Sequence, residues 1–251
     1  MTEQALPGGD VNVVALVGGT VRRPVSSRAE FVHRLLAHLA SHQWPGAPAY
    51  LGLDDRGRET LSYLAGHVAW QRDQPASVRS DASLARMAEM VRELHDLTAG
   101  TGLAGECEVV CHNDLSPRNT VYRDLGAGLR PVAFIDWDLA APGRRIHDLG
   151  HACWQFLNLG PESWAGADEA GAAECGRLMR VICDGYGIDD RSEVLDTTLW
   201  WQDRCWRGIE AAAETGEPAM VRLREAGTVT AVQEAYRWTL RHSTVIGQAL
   251  A

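Results

Sequence analysis

The sequence contains no lysine: all 24 of its basic residues are arginines. Chemistry that needs a lysine nucleophile, a Schiff base or the lysine of a P-loop is therefore excluded. No apolar run approaches the roughly 20 residues of a membrane span. The opening MTEQALPGGD has neither the basic start nor the apolar stretch of a secretory signal. No Cys-x-x-Cys pair occurs among Cys107, Cys111, Cys153, Cys175, Cys183 and Cys205, which argues against a zinc ribbon or a thioredoxin-like site. These cysteines are scattered through apolar stretches and read as reduced core residues of a cytoplasmic protein. A basic surplus is missing too. Against the arginines stand 33 acids, for a net charge of −9, which argues against a nucleic-acid partner.

What is present is a chain of 251 residues, 45% of them apolar, enough for two lobes with cores of their own. Residues 1–10 read as a loose tail. Val11 to Val17 and Thr20 to Arg23 flank Gly18-Gly19 and predict a hairpin. Ser27 to Glu30 fits a capping box, and Phe31, Leu35, Leu36 and Leu39 follow at helical spacing, so a helix is expected from about Arg28 to His42. Strands are expected near 49–53 and 59–64. Ser80 or Asp81 should cap a long helix with Leu84, Met87, Val91 and Leu94 inward. Short strands follow at 109–111, 120–122 and 132–135. From His147 onward the pattern is helical, near 147–159, 168–186, 191–213 and 218–248. The expected class is α+β. A small β-rich N-terminal lobe (1–66) precedes a larger, mainly helical C-terminal lobe (67–251), the two meeting near Gly66.

The segment that carries chemistry is Cys111-His112-Asn113-Asp114-Leu115-Ser116-Pro117-Arg118-Asn119, followed by Ile135-Asp136-Trp137-Asp138. A strand delivers His112 and Asp114, a tight loop with Pro117 returns the chain at Asn119, and a second hairpin presents Asp136 at a strand end. Three oxygen-bearing side chains then converge, and hard oxygens in that number suit Mg²⁺, which keeps several waters and shares its shell with phosphate. A carboxylate left off the metal can accept a proton from a hydroxyl. His112 reads as structural, packing under the loop.

His112-x-Asp114 with Asn119 five residues after the aspartate has the spacing of the kinase catalytic loop, and Asp136 falls where the aspartate of the DFG motif would. The wording HNDLSPRN…FIDWD resembles the aminoglycoside phosphotransferase family, which shares a bilobal protein-kinase-like fold with the choline kinases. The likeness runs over about residues 11–150 by element order, and the helical remainder is compatible with it. It implies an ATP- or GTP-dependent phosphotransferase acting on a small-molecule hydroxyl, an aminoglycoside, another antibiotic or a metabolite. By this resemblance Asp114 is the catalytic base, and Asn119 and Asp136 are Mg²⁺ ligands. Arg118 either neutralises the transferring phosphoryl or forms a surface ion pair. Asp138 either approaches the metal or holds the loop, the loop being favoured, and Asp148 either anchors the catalytic-loop backbone or caps its own helix. Leu61, Ser62, Tyr63 and Leu64 would be the hinge that meets the nucleobase, above an apolar floor of Val121 and Ile135.

Two features of that family are altered. Gly18-Gly19 is a plain two-residue turn rather than a glycine-rich phosphate loop. The strand lysine that pairs with phosphates is replaced by Arg22 or Arg23, with Arg22 favoured because the stem of Arg23 can lie along the surface. Glu30, the one acid on the following helix, is already accounted for by the capping box. These changes support an alternative, a pseudokinase-like protein that binds nucleotide or ligand without turnover. A third reading takes His147-Asp148-x-x-His151 as part of a di-metal phosphohydrolase site. Of the acids, 15 lie in residues 151–251 against nine arginines. This excess reads as a solvated helix surface, or as a cleft for a cationic acceptor. Trp154, Trp200, Trp201 and Trp206 read mainly as core.

Overall fold

The structure, a computed structural model, describes residues 3–5, 14–71 and 73–251. The chain divides into two compact units, one of residues 1–78 with 93–144 and one of residues 79–92 with 145–251. Gly66 lies inside the first of these.

The first unit begins with an antiparallel five-stranded sheet. Its strands are β1 (Glu3–Ala5), β2 (Ala15–Val17), β3 (Thr20–Arg23), β4 (Tyr50–Leu53) and β5 (Glu59–Ser62), in the order β1-β2-β3-β5-β4. The β2–β3 turn is Gly18-Gly19, both at positive φ (56° and 77°). Two residues in that region give the turn the twist of the flanking strands, and glycine takes the conformation without a steric cost. The start of the expected first strand, Val11 to Val13, lies outside the described residues, as do residues 6–10 of the expected tail. Glu3–Ala5 is not loose but pairs with β2. At the β4–β5 turn Asp54 Oδ1 accepts the backbone N–H groups of Arg56 and Arg58, at 2.9 Å each.

Helix α1 (Ala29–Ser41) buries Val32, Leu35, Leu36 and Leu39, each contributing roughly 1.5–3 kcal/mol of apolar burial. The capping box does not form. Arg28 is the cap residue and no side chain bonds the first turn. Instead Ala29 N–H reaches Ser26 O (3.1 Å), and the Arg28 guanidinium reaches Ala140 O (2.9 Å). Helix α2 (Asp81–Thr98) starts in the second unit with Ser80 as its cap, whose Oγ accepts Ser83 N–H at 3.3 Å. Its Leu84, Met87, Val91 and Leu94 are all buried, as the periodicity predicts.

The remaining strands of the first unit are short. They are β6 (His67–Val68), β7 (Val109–Cys111), β8 (Thr120–Asp124), β9 (Leu129–Phe134) and β10 (Ala141–Gly143). They form a three-stranded sheet, β6-β8-β9, and a two-stranded one, β10-β7. Tyr122, Ala69 and Val78 make a small core beside the larger sheet.

The second unit is helical. It contains α3 (Arg145–Leu157), α4 (Glu169–Tyr186), α5 (Val194–Glu214), α6 (Pro218–Glu225), α7 (Thr228–Arg241) and α8 (Ser243–Leu250). The single run expected over 218–248 is three helices, because Gly227 takes the left-handed conformation (φ 82°) and a second break falls at His242. Helix α4 is capped at both ends as its sequence allows. Asp168 Oδ1 accepts Gly171 N–H (2.9 Å), and Gly187 closes the C-terminus at φ 77°. Cys111, Cys153, Cys175 and Cys183 are buried and none of the six cysteines is in a disulfide, but Cys107 is exposed, contrary to its reading as a core residue. Among the described residues no helix is long and apolar enough to cross a membrane.

Helices α3 and α5 approach closely at Gly150, where an added Cβ would lie 2.7 Å from Thr197 Cγ2 and 3.0 Å from its carbonyl carbon. We expect Gly150→Ala to lower the free energy of unfolding by about 1–3 kcal/mol, the usual cost of overpacking. Gly208→Ala on α5, where nothing lies within 4 Å, should be neutral or stabilising by up to about 1 kcal/mol. Urea denaturation of the two variants checks both signs.

Candidate active site

All twelve candidate residues lie in the first unit. Two loops carry the chemistry, 112–119 between β7 and β8, and 135–140 between β9 and β10. Their strands pair crosswise. Cys111 lies opposite Ala141 and Thr120 opposite Phe134, so the two loops are fixed at both ends by antiparallel ladders.

Side chains lock the loops together. His112 is fully buried; its Nδ1 accepts Asp114 N–H (3.3 Å), so its Nε2–H donates to Ile135 O (3.2 Å). That hydrogen-bond pattern requires the neutral tautomer and makes the ring a cross-link. It packs against Phe134 and Trp137, and Trp137 Nε1 donates to Phe134 O (3.0 Å). Ile135 N–H donates to Asn119 O (2.9 Å), and Asn113 Nδ2 to Leu139 O (3.1 Å). Pro117 opens a single 3-10 turn ending at Asn119, capped by Ser116, whose Oγ accepts Asn119 N–H at 3.3 Å. Two non-glycine residues here hold positive φ, Asn113 (62°) and Asp136 (64°). Asparagine and aspartate tolerate that region best, and its appearance in both loops marks a site where backbone geometry is imposed from outside.

The functional atoms follow from this frame. Asn119 is buried, and its Nδ2 donates both to Asp114 Oδ2 (2.8 Å) and to Asp114 O (2.9 Å). The amide oxygen is thereby turned away from Asp114 and keeps its acceptor capacity. Burial first, and then the charge of Asp136, push the Asp114 carboxyl up to about 7, while the Asn119 hydrogen bond opposes the rise. The Asp136 carboxyl is half-exposed. Desolvation and then Asp138 push it up from the ordinary carboxylate range, with Arg23 opposing. An acceptor oxygen on Asn119 and a carboxylate on Asp136 that gains from added positive charge are the donor set a hard divalent cation takes, so these residues fit the implied Mg²⁺.

The cation nearest these acids is Arg23, not the favoured Arg22. Arg23 is buried, its Nε bonds Glu59 Oε1, and its Nη2 meets Asp138 Oδ1 at 2.7 Å. Its Nη1 lies 3.4 Å from Asp136 Oδ1. Burial works against the charge on Arg23, but Asp138, Glu59 and Asp136 outweigh it. Arg22 instead bonds Thr60 Oγ1 on β5. The acid that holds Arg23 comes from β5, directly opposite in the β3–β5 register, and not from α1, where Glu30 is exposed. Helix α1 contributes His33, whose Nε2 lies 2.8 Å from Glu59 Oε2 and whose ring stacks on Tyr50 at 3.7 Å. Sequence reasoning missed Glu59 and His33. The available signal was a charged residue in the otherwise uncharged strand 59–62, where a partner is needed.

The other candidates are more dispersed. Arg118 is exposed and makes no hydrogen bond or ion pair among the described residues. Leu61 is buried at the end of β5, Ser62 Oγ accepts Ala49 N–H (2.9 Å), Tyr63 is exposed and Leu64 partly buried. Val121 is buried in β8 and Ile135 partly buried after β9, so floor and hinge belong to different sheets. In the second unit, Asp148 is fully buried in the first turn of α3. His147 stacks on Trp200 (5.4 Å), and His151 packs edge-on against Trp154 and Trp201. Among the described residues no cluster of three possible metal ligands includes His147 or His151, which leaves the di-metal reading without support.

The sequence profile of the phosphotransferase enzyme family matches residues 105–182, which include both loops. A curated relative, the trifolitoxin immunity protein of Rhizobium leguminosarum bv. trifolii, is 30% identical over 273 residues, covering 99% of either chain. The chain belongs to the phosphotransferase enzyme family. Solved structures agree on its fold. An ethanolamine kinase of Plasmodium vivax superposes with a TM-score of 0.62 at 11% identity, covering 94% of this phosphotransferase and 81% of that chain. The GDP complex of aminoglycoside 2'-phosphotransferase-IIIa gives 0.61 at 14% identity, covering 94% and 93%. A choline/ethanolamine kinase family protein of Mesorhizobium loti gives 0.57 at 17% identity, covering 100% and 92%. The phosphotransferase therefore has the kinase-like α+β fold that its loop spacing implies.

If Asp136 contributes to the raised Asp114 value, Asp136→Asn should lower it by removing the neighbouring charge, while burial keeps it above the ordinary 3.8. A carboxyl-carbon NMR titration of the protein without nucleotide reads this directly. An unchanged midpoint would separate the two carboxyls.

Proposed function

We propose that this protein transfers the terminal phosphoryl group of ATP or GTP to a hydroxyl of a small molecule. The observation that carries the reading is the Asp114–Asn119–Asp136 arrangement, in which one carboxyl is held by an amide whose oxygen faces away from it. In this reading Asp114 accepts the proton of the acceptor hydroxyl as its oxygen attacks phosphorus and the bond to the leaving nucleoside diphosphate breaks. A value near 7 suits a group that must take a proton and release it at neutral pH.

Asn119 and Asp136 would hold Mg²⁺, which when bound shields the phosphate charge and orients it for in-line transfer. Arg118, exposed and without a partner among the described residues, is available to the transferring phosphoryl. Arg23 stands in for the missing lysine. A guanidinium binds phosphate in two-pronged fashion and keeps its charge at any physiological pH. Leu61 to Leu64 meet the base, with Val121 and Ile135 beneath it. GDP is the nucleotide in one structural neighbour, so both purine nucleotides belong in the test.

The acceptor is proposed to be a toxin- or antibiotic-like compound with a hydroxyl. Support comes from the immunity function in the name of the relative and from the aminoglycosides bound or named in the structural neighbours. The acid surplus of residues 151–251 favours a cationic one. The deciding experiment incubates purified protein with Mg²⁺, ATP or GTP, and a panel of hydroxyl-bearing compounds, and follows nucleotide consumption and product mass. Consumption that depends on one acceptor supports the reading; nucleotide binding with no turnover across the panel favours the pseudokinase alternative, in which Arg23 stays engaged by carboxylates.

Two substitutions sharpen it. Asp114→Asn should keep the fold and nucleotide affinity but lower kcat by roughly 10²–10⁴-fold, the usual worth of a positioned base. A rate equal to wild type would remove Asp114 from that role. Arg23→Gln, combined with Glu59→Gln so that no buried carboxylate is stranded, should lower kcat/KM about tenfold to a hundredfold through loss of a charge-assisted contact. Arg22→Ala should change it less than about threefold. Equal effects of the two arginines would leave neither as the substitute for lysine.

A further inference from the structure

Arg23 makes contacts that a phosphate-binding cation alone does not need. Its guanidinium reaches two carboxylates in the same segment, Asp138 at 2.7 Å and 3.3 Å and Asp136 at 3.4 Å, while its Nε stays on Glu59. Glu59 is 1% exposed and is itself held by His33, so the stem end of the guanidinium is anchored and only the Nη end faces the aspartates. The Asp136–Asp138 pair therefore already faces a fixed internal cation that offsets part of its charge.

We propose that Arg23 is the built-in counter-ion of the metal site. It competes with the divalent cation for Asp136, and it is freed toward phosphate only when metal and nucleotide arrive together. The inference rests on the assignment of Asp136 as a metal ligand and adds a coupling to it. Two like-charged groups cannot share one carboxylate oxygen at full strength. A guanidinium 3.4 Å from Asp136 therefore raises the free energy of a metal bound there and is itself pushed off by it. Phosphate oxygens then offer the displaced Nη groups acceptors in the two-pronged geometry that guanidinium prefers. Because Glu59 retains Nε, the exchange is a tilt of the whole planar guanidinium about that contact and not a release of the side chain. In the absence of nucleotide the arginine wins at Asp136; in its presence each cation has an anionic partner of its own. A lysine with one compact ammonium would not hold Glu59 and both aspartates at once, so this coupling belongs to the arginine.

The test is metal binding by the protein without nucleotide, with Mn²⁺ as a paramagnetic probe followed by water-proton relaxation and calorimetry. Wild type should bind Mn²⁺ weakly. Removing Arg23 alone would strand the buried Glu59, so the variant is Arg23→Gln with Glu59→Gln, its fold checked by thermal denaturation and far-UV circular dichroism. It should bind Mn²⁺ at least about tenfold more tightly than wild type, since a competing charged contact is worth that much, while its affinity for ATP in the presence of metal falls. Lys substitution at position 23 (Arg23→Lys), which keeps the charge with a smaller head group, should give an intermediate Mn²⁺ affinity and serves where the double variant does not fold. Unchanged or weaker Mn²⁺ binding in both variants would overturn the proposal. Asp136→Asn separates the two levels. If it abolishes Mn²⁺ binding in the presence of ATP, the metal assignment stands whatever the arginine variants do. If it leaves that binding intact, the metal assignment fails and takes this inference with it.

Discussion

Carboxylates crowded into a partly dry site repel one another, and the first unit exists around a solution to that repulsion. Asp114, Asp136 and Asp138 are brought close by two loops, and Glu59 is buried nearby. One guanidinium answers three of these four acids, and an asparagine amide answers the fourth. The positions of β3 and β5 follow from this. Arg23 and Glu59 must face each other across the ladder for the cation to be held from behind while its other end serves the loops. The buried ion pair contributes little net stability once desolvation is counted. Its value is geometric, since it fixes where positive charge can be found.

The loops themselves are held by neutral groups. The His112 imidazole, the Trp137 indole and the Asn113 amide each bond a backbone carbonyl of the 134–139 segment. Crossed pairing of β7 with β10 and of β8 with β9 gives both loops rigid ends. A site that must present oxygens at fixed positions gains from rigid ends more than from any single contact. The positive φ of Asp136 is the residue-level sign of that demand, because a free chain would not choose it.

Much of this was legible in the sequence. The spacing of His112, Asp114 and Asn119 and the acid pair at 136 and 138 identify the loops without any fold information. The Gly18-Gly19 turn, the apolar stripe of α1 and the buried face of α2 follow from period and turn chemistry. What could not be read is cross-strand or tertiary. The register that sets Arg23 opposite Glu59 joins residues 36 positions apart, and no local pattern encodes it. Strand β1 is a polar tripeptide, β6 is two residues long and β10 contains a proline, so none carries a strand signature. The capping box at Ser27 failed because Arg28 is drawn to Ala140 O and takes the cap position itself. The break at Gly227 depends on a left-handed residue within a run whose apolar periodicity continues past it.

The arginine at position 23 also changes how the protein can be interrogated. A lysine in the equivalent place is an amine that loses its proton when desolvated, and reactive-ester nucleotide analogues acylate such amines. A guanidinium surrounded by carboxylates holds its proton through any pH at which the protein folds. The sequence offers no side-chain amine anywhere else. The protein should therefore be silent to reagents that report kinases by acylating lysine, and surveys built on that chemistry would pass over it whether or not it turns over nucleotide.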